Sequence, residues 1–405
     1  MDAATLSAGA AARPDADAAA PGRETLQWIE RLLAINTVSR ESNLGLIELA
    51  RDHLARLGAD CRLTYDAAGR KANLLATLGD GSARGLVLSA HTDTVPVDDQ
   101  DWSVEPFAAT VRGERVYGRG SCDMKGFIGC LLAAAPRLAQ AGARPFHIAL
   151  SYDEEVGCFG APQLIADLHD AGHAPAGCII GEPTNMIPAT AHKGVYRYRC
   201  CVRGKEAHSS LAPQAVNAID YAARLITHLQ AIAGELARTE HWAGFDVPHT
   251  TASVGMIRGG IADNVVPRDC EFRFEFRNLP DRSVRQLLDD VMAHARTLEA
   301  EMQRTAREAG FRFETICEVP EFLGRDDDAI TRLAQALCGE RRTTLVAFGT
   351  EAGLFSRAGI PTVVCGPGSI EQAHQPDEYV SFAQLAACER FLQRLADAPA
   401  EWLPR

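Results

Sequence analysis

The chain has 405 residues, 46% of them hydrophobic, which is enough to bury a large core and to divide into two domains. Its 53 acidic residues outnumber 41 basic ones, for a formal net charge of -12. That balance argues against nucleic acid or an anionic membrane surface as partner, because both require a basic face. No apolar run reaches the roughly 18 residues of a membrane-spanning helix. Twelve cysteines are scattered from Cys61 to Cys388 without CxxC spacing, and no signal-peptide pattern opens the chain. They read as reduced thiols of a cytoplasmic protein.

Residues 1–22, rich in Ala and Asp with two prolines, read as a disordered tail. From Glu24 the spacing predicts helices in ETLQWIERLLAI and LGLIELARDHLARLGA, the second with a glycine stop. ANLLATLG and GLVLSAH are short apolar runs bounded by turn residues, as buried strands are. KGFIGCLLAAAPRLAQAG predicts a helix ending at Gly142. FHIALSYDEE then reads as strand, APQLIADLHDAG as helix and AGCIIGEPT as strand. This alternation predicts a largely parallel sheet with helices on both faces.

After AHKG the texture changes. Val195–Arg203 alternates like a strand with one exposed face, and a long helix is predicted over about 214–236. TTASVGMIRGG and CEFRFEFRNLP are two further strands. In the latter, Cys270, Phe272, Phe274 and Phe276 share one face, and Glu271, Arg273, Glu275 and Arg277 the other. Such strict alternation indicates an antiparallel sheet covered on one side. A helix over about 283–303 completes a small α+β unit. The earlier pattern resumes with DAITRLAQALCG, GIPTVVCGPG and a closing helix capped by Ser381. The expected fold is therefore α/β: a discontinuous, doubly wound, mainly parallel-sheet domain at 23–193 and 305–405, interrupted by an inserted α+β domain at 194–304.

In open α/β sheets, ligands gather outside the carboxyl ends of the strands. Four polar clusters follow predicted strands: His91 and Asp93, then Asp153-Glu154-Glu155, then Glu182, and His374 in the loop after TVVCGPG. Asp123 opens a helix within YGRGSCDMKG. Singly, each has a plain structural reading as a hydrogen-bonded pair, a solvated acidic turn, a loop start or a helix cap. Together they supply two imidazoles and several carboxylates at one sheet edge, the donor set for two divalent metals bridged by a carboxylate.

The motifs SAHTDTVP, YGRGSCDMKG, SYDEEVG, IIGEPT and QAHQPDEY resemble those of the di-zinc amidohydrolase and exopeptidase family, from about residue 25 to the C-terminus. The resemblance implies that His91 and Glu182 hold one zinc, that Glu155 and His374 hold the other, and that Asp123 bridges them. Cobalt is a possible substitute. It implies a cis peptide after Asp123, a hydrogen bond from the His91 imidazole to Asp93, and Glu154 as general base. The inserted domain becomes a lid and dimerisation domain of a homodimer, from which His208 in RGKEAHSS reaches the partner's active site as an oxyanion donor. Arg277 would receive a substrate α-carboxylate, a role suited to its planar fork of donors. Asn264 would make a second polar contact, and Thr350 and Glu351 a pocket wall, with Glu351 facing a cationic substrate tail. Further segments, among them RKANLLATLG and KEAHSSLAPQAVNAIDYAARLI, resemble the branch that deacetylates small N-acylated amino acids.

Overall fold

The computed structural model describes residues 20–80, 84–141 and 144–399. The expected tail thus lies outside the described residues except for 20–22, and Gly142, the expected helix end, lies outside them too; that helix is Lys125–Gln140. The chemistry-bearing elements meet in a nine-stranded mixed sheet. Its middle is four parallel strands side by side: Phe146–Ser151, Leu86–His91, Gly177–Pro183 and Thr362–Gly366. Every residue of the four is buried, which is why they read as unbroken apolar runs rather than as alternation. Ala72–Leu78 and Asp60–Tyr65 extend one side antiparallel. Ala189–His192 flanks the other side, joined by Phe322–Leu323 and Thr344–Val346.

Helices cover both faces. Arg23–Leu33, Lys125–Gln140, Ala329–Cys338 and Phe382–Ala396 bury Trp28, Phe127, Leu333 and Phe391 on one side. Ala161–Asp170 and Ala352–Arg357 bury Leu164 and Phe355 on the other. The closing helix starts as expected, with Ser381 Oγ accepting from Gln384 N. Two glycines set close approaches near the site, one of a helix to a strand and one between strands. A Cβ on Gly181 would stand 2.2 Å from the Phe127 ring, and one on Gly366 only 2.0 Å from the Gly181 carbonyl oxygen, so neither position admits a side chain.

A second, four-stranded sheet is wholly antiparallel, in the order Thr251–Gly259, Asp269–Arg277, Val195–Arg203, Gly310–Val319. Helices Ala218–Thr239 and Val284–Met302 cover one face, burying Cys270, Phe272, Phe274 and Phe276. The sheet does not end at 304, where the insert was expected to stop. Its strand Gly310–Val319 pairs along the whole of Val195–Arg203. An irregularity between Thr315 and Cys317 shifts the register there, and a bulge of that kind erases the period-two signal in the sequence. The long helix also begins later than expected. Asn217 caps it, its side chain accepting from Ile219 N at 2.9 Å, and Ser209–Gln214 forms a separate 3-10 turn. Finally, Tyr379–Ser381, Arg115–Tyr117 and Thr110–Arg112 form a small sheet that brings the segment after His374 against the segment before Asp123.

Candidate metal centre

The four parallel strands deliver the polar clusters to one edge. His91 is the last residue of its strand, and Glu182 stands one residue before the end of the neighbouring strand. The Asp153–Glu155 turn follows Phe146–Ser151, and His374 lies in the loop after Thr362–Gly366. Asp153 and His374 both adopt left-handed backbone conformations, φ 57° and 62°, uncommon for residues with a Cβ and found where surrounding contacts hold them. Lys71 Nζ supplies such a contact, bonded to both Asp153 Oδ1 and the Ser39 carbonyl. The Asp123–Met124 peptide is cis.

These side chains converge on two groups of three that share a member. His91, Asp123 and Glu182 form one, and Asp123, Glu155 and His374 the other, with the donor atoms of each group within 4.8 Å of one another. His91 Nε2 is 2.9 Å from Asp123 Oδ1 and 3.6 Å from Glu182 Oε1. On the other side, His374 Nε2 is 3.3 Å from Asp123 Oδ2 and 3.1 Å from Glu155 Oε2. Each oxygen of Asp123 therefore faces a different group. His91 Nδ1 lies 2.9 Å from the Asp93 carbonyl oxygen, to which it donates. Nε2 then faces carboxylate oxygens whose charge drives the ring towards holding a second proton there, and a cation between them would take that proton's place.

Electrostatics tell the same story. Burial pushes Glu155 up and Glu182 well up, each reinforced by the charge of Asp123. Loss of solvent lifts Glu154 to about 8. Burial by itself would lower His374, yet hydrogen bonds and charge from Asp123 and Glu155 carry it up to about 11. Burial would raise Asp123, but the two imidazoles outweigh it and hold its carboxyl well below the usual range. The cluster thus concentrates more negative charge than its surroundings neutralise, and its groups draw protons to compensate. Two divalent cations would meet that deficit, since both groups offer oxygen and nitrogen donors. Glu155 Oε1, buried and without a hydrogen-bond partner among the described residues, offers a further ligand atom.

The sequence profile described as peptidase family M20/M25/M40 matches residues 87–398. The chain belongs to that family. An acetylornithine deacetylase of Myxococcus xanthus is 37% identical over 379 residues, covering 90% of this chain and 95% of its own. The M20 family metallo-carboxypeptidase of Sulfolobus solfataricus has a similar fold, with TM-score 0.73 at 17% identity over 92% of this chain and 99% of that one. A dinuclear metal binding M20 peptidase of Bacillus subtilis gives TM-score 0.63 at 17% identity over 92% of this chain and 96% of its own. As a member of the M20/M25/M40 family, the chain is a metal-dependent hydrolase.

The remaining expected site residues of this family member fare differently. The Asp93 carboxylate does not bond to His91, whose Nδ1 is 3.7 Å from Oδ1; the Asp93 main chain takes that role. The carboxylate instead accepts from Glu154 N at 3.0 Å, Glu155 N at 3.3 Å and Ser39 Oγ at 2.6 Å. It therefore positions the turn that carries both glutamates. Thr350 and Glu351 do not form an open pocket wall. Both are buried: Thr350 Oγ1 accepts from Ala352 N, and Glu351 Oε2 accepts from Ser89 Oγ at 3.2 Å. Glu351 is buried rather than open to solvent; its Oε1 has no hydrogen-bond partner among the described residues, and its charge reaches Glu154.

His208 and Asn264 are neighbours, since His208 bridges Val265 and Ser209 N donates to the Asn264 carbonyl at 2.9 Å. His208 is exposed, its Nδ1 bonded to Ser210 Oγ. Arg277 donates to Glu275 at 3.2 Å on the open face of the second sheet. Among the described residues, no hydrogen bond or ion pair joins these three to the metal-ligand cluster of the same chain.

Two positioning residues escaped the sequence reading. Glu378, fully buried, accepts from the backbone of Gly120, Cys122 and Asp123 at 2.9–3.0 Å and from Arg119 at 2.7 Å. Ser39 completes the Asp93 network. The acidic residue in QAHQPDEY was a usable signal for Glu378; for Ser39, in a loop far from every motif, there was none.

Proposed function

We propose that this chain hydrolyses the amide of N2-acetyl-L-ornithine to acetate and L-ornithine, with His91 and Glu182 on one zinc, Glu155 and His374 on the other, and Asp123 between them. The observation that carries the reading is the shared Asp123, each of whose oxygens faces a separate three-residue group, with the unshared carboxylate of Glu154 on the adjoining turn. The likeness to the Myxococcus xanthus enzyme over nearly the whole chain supports the substrate. When bound, two such cations lower the pKa of a shared water and polarise the scissile carbonyl.

The protein's own groups do the rest. Glu154 takes a proton onto its carboxylate from the attacking water and passes it to the departing amine nitrogen. Asp93, through two backbone N–H groups, fixes where that carboxylate stands. His208 of a second subunit donates to the oxygen that gains charge, and one such donor is typically worth about 3 kcal/mol of barrier. Arg277 receives the α-carboxylate, and Asn264 adds a polar contact. A homodimer through the insert is supported by the edge strand Thr251–Gly259, which among the described residues has a neighbour on one side only and exposes Met256 and Ile257; such an edge is a template for pairing with a second copy.

The test is release of the free α-amine, at controlled zinc, from a panel of N-acetylornithine, N-acetylmethionine and N-succinyl-diaminopimelate. The highest kcat/KM is expected for N-acetylornithine. A clear preference for either of the others would overturn the substrate, and no turnover of any amide would overturn the reading as a whole. For the shared site, mixing His208→Ala with Glu154→Ala chains should restore partial activity. No recovery after verified subunit exchange would count against a site shared between subunits.

A further inference from the structure

Of the twelve cysteines, two stand apart by geometry. Cys338 is the last residue of helix Ala329–Cys338, and Cys365 lies in the strand Thr362–Gly366 beneath it. Their sulfurs are 3.4 Å apart, in direct thiol–thiol contact. Cys365 is buried, whereas Cys338 is part-exposed at the helix end. The contrast with Cys130 and Cys388 is instructive. Those two also interact, between helices Lys125–Gln140 and Phe382–Ala396, with Cys388 near enough to feel Cys365 and Cys338, but both are buried and neither is part-exposed as Cys338 is.

We propose that Cys338 and Cys365 are a reversible oxidation site, converted by a hydroperoxide to an intramolecular disulfide. Cys338, the accessible member, attacks the terminal oxygen of the hydroperoxide as its thiolate. The O–O bond breaks, the alkoxide leaves and takes up a proton as alcohol or water, and the sulfur becomes a sulfenic acid. Cys365 then attacks that sulfur, the S–S bond forms, and the sulfenic oxygen leaves as water with the Cys365 proton. Two thiols and one hydroperoxide thus yield one disulfide, one alcohol or water, and one further water.

The geometry favours the second step over continued oxidation of Cys338. The resolving sulfur is already in contact, and the pair needs to close by only about 1.4 Å to reach bonding distance. Both thiols sit on ordered elements, so closure requires side-chain rotation and a small shift of the helix end. The cross-link closes a loop of 27 residues in sequence separation. That loop contains Thr344–Val346 and the Thr350–Glu351 segment bonded beneath the metal centre. It also ties an outer helix to the strand that leads into the His374 loop.

The experiment uses the zinc-loaded full chain treated with hydrogen peroxide, quenched with acid, alkylated and mapped by peptide mass spectrometry. The expected result is a linked peptide joining Cys338 to Cys365, a loss of two titratable thiols per unfolded chain, and full reversal by dithiothreitol. Cys338→Ser should abolish the linked peptide and leave Cys365 alkylated. Cys365→Ala should instead drive Cys338 on to sulfinic acid, which keeps the test open if either variant folds poorly. Cys338 recovered as free thiol or as sulfinic acid in the unsubstituted chain, at peroxide doses that oxidise part-exposed Cys201, would overturn the proposal. So would a linked peptide joining other cysteines.

Discussion

Replacing Glu378 by glutamine tests how the bridging aspartate is held. In the native arrangement Oε1 accepts from Cys122 N and Asp123 N, and Oε2 from Gly120 N and Arg119 Nη1. An amide has one acceptor and one donor end, so whichever way the new side chain lies, two donors lose their acceptor and face an NH2 group. Each lost hydrogen bond to a charged partner costs about 1.5–3 kcal/mol. Arg119, 1% exposed, also loses its counter-charge, although Gln100 Oε1 at 2.6 Å still accepts from it. Together these place the loss at about 3–5 kcal/mol, the range for breaking one side of a buried ion pair. Because one orphaned donor set includes the Asp123 main chain, metal affinity should fall as well, on the order of 10–100-fold as for other groups that orient ligands. Urea unfolding of the metal-free chain and competition with a zinc chelator read the two effects separately. A stability change under about 1 kcal/mol with unchanged zinc affinity would refute the reasoning that this carboxylate shapes the Asp123 turn.

Glu154→Gln should retain both metals, by elemental analysis, while kcat drops by at least about 100-fold, since only the proton carrier is lost; near-normal kcat would remove Glu154 from that role. Asp123→Asn should lower occupancy of both metals together, and loss of one alone would contradict the bridge. Ser39→Ala removes a 2.6 Å hydrogen bond to Asp93 and should lower kcat by about 3–30-fold with KM little changed, equivalent to about 0.7–2 kcal/mol; a larger effect on KM would point to substrate contact instead. Burial holds His192 and His147 down at about 4, the latter helped by His173. Below the unfolded value near 6.5 the unfolded chain binds protons the folded one does not, so stability is intact above about pH 6.5 and falls as pH drops towards about 4. His147→Gln and His192→Gln should each flatten that slope in urea unfolding between pH 4 and 6.5, and an unchanged slope in both would show that neither histidine is the cause.

Much of the fold was legible because burial had written it plainly. Strands such as Gly177–Pro183, buried throughout, leave unbroken apolar runs, and Phe272, Phe274 and Phe276 mark one face of an antiparallel strand. What escaped was what tertiary contact alone decides. Gly310–Val319 carries a bulge, and Arg115–Tyr117 is three residues long, stabilised by its pairing with Tyr379–Ser381 rather than by any pattern of its own. Neither offers enough periodic residues for hydrophobic spacing to register.

The site divides along a similar line. That His91, Asp123, Glu182, His374 and the Asp153–Glu155 turn gather at one edge was legible because parallel topology fixes which loops can meet, while the choice of Glu155 over Glu154 as ligand came from the family resemblance. Orientation was not legible. Asp93 sits two residues from His91, a spacing that invites a carboxylate–imidazole bond, yet its main chain reaches His91 while its side chain turns to the Glu154–Glu155 backbone. Sequence spacing cannot separate a carbonyl from a carboxylate of the same residue. The same limit applies to Glu351: the sequence could not say that one of its oxygens accepts from Ser89 while the other is buried without a partner among the described residues. For both residues the type was informative and the direction was not. Substituting Asp93 should therefore move kcat through the position of the Glu154–Glu155 turn rather than through loss of a ligand.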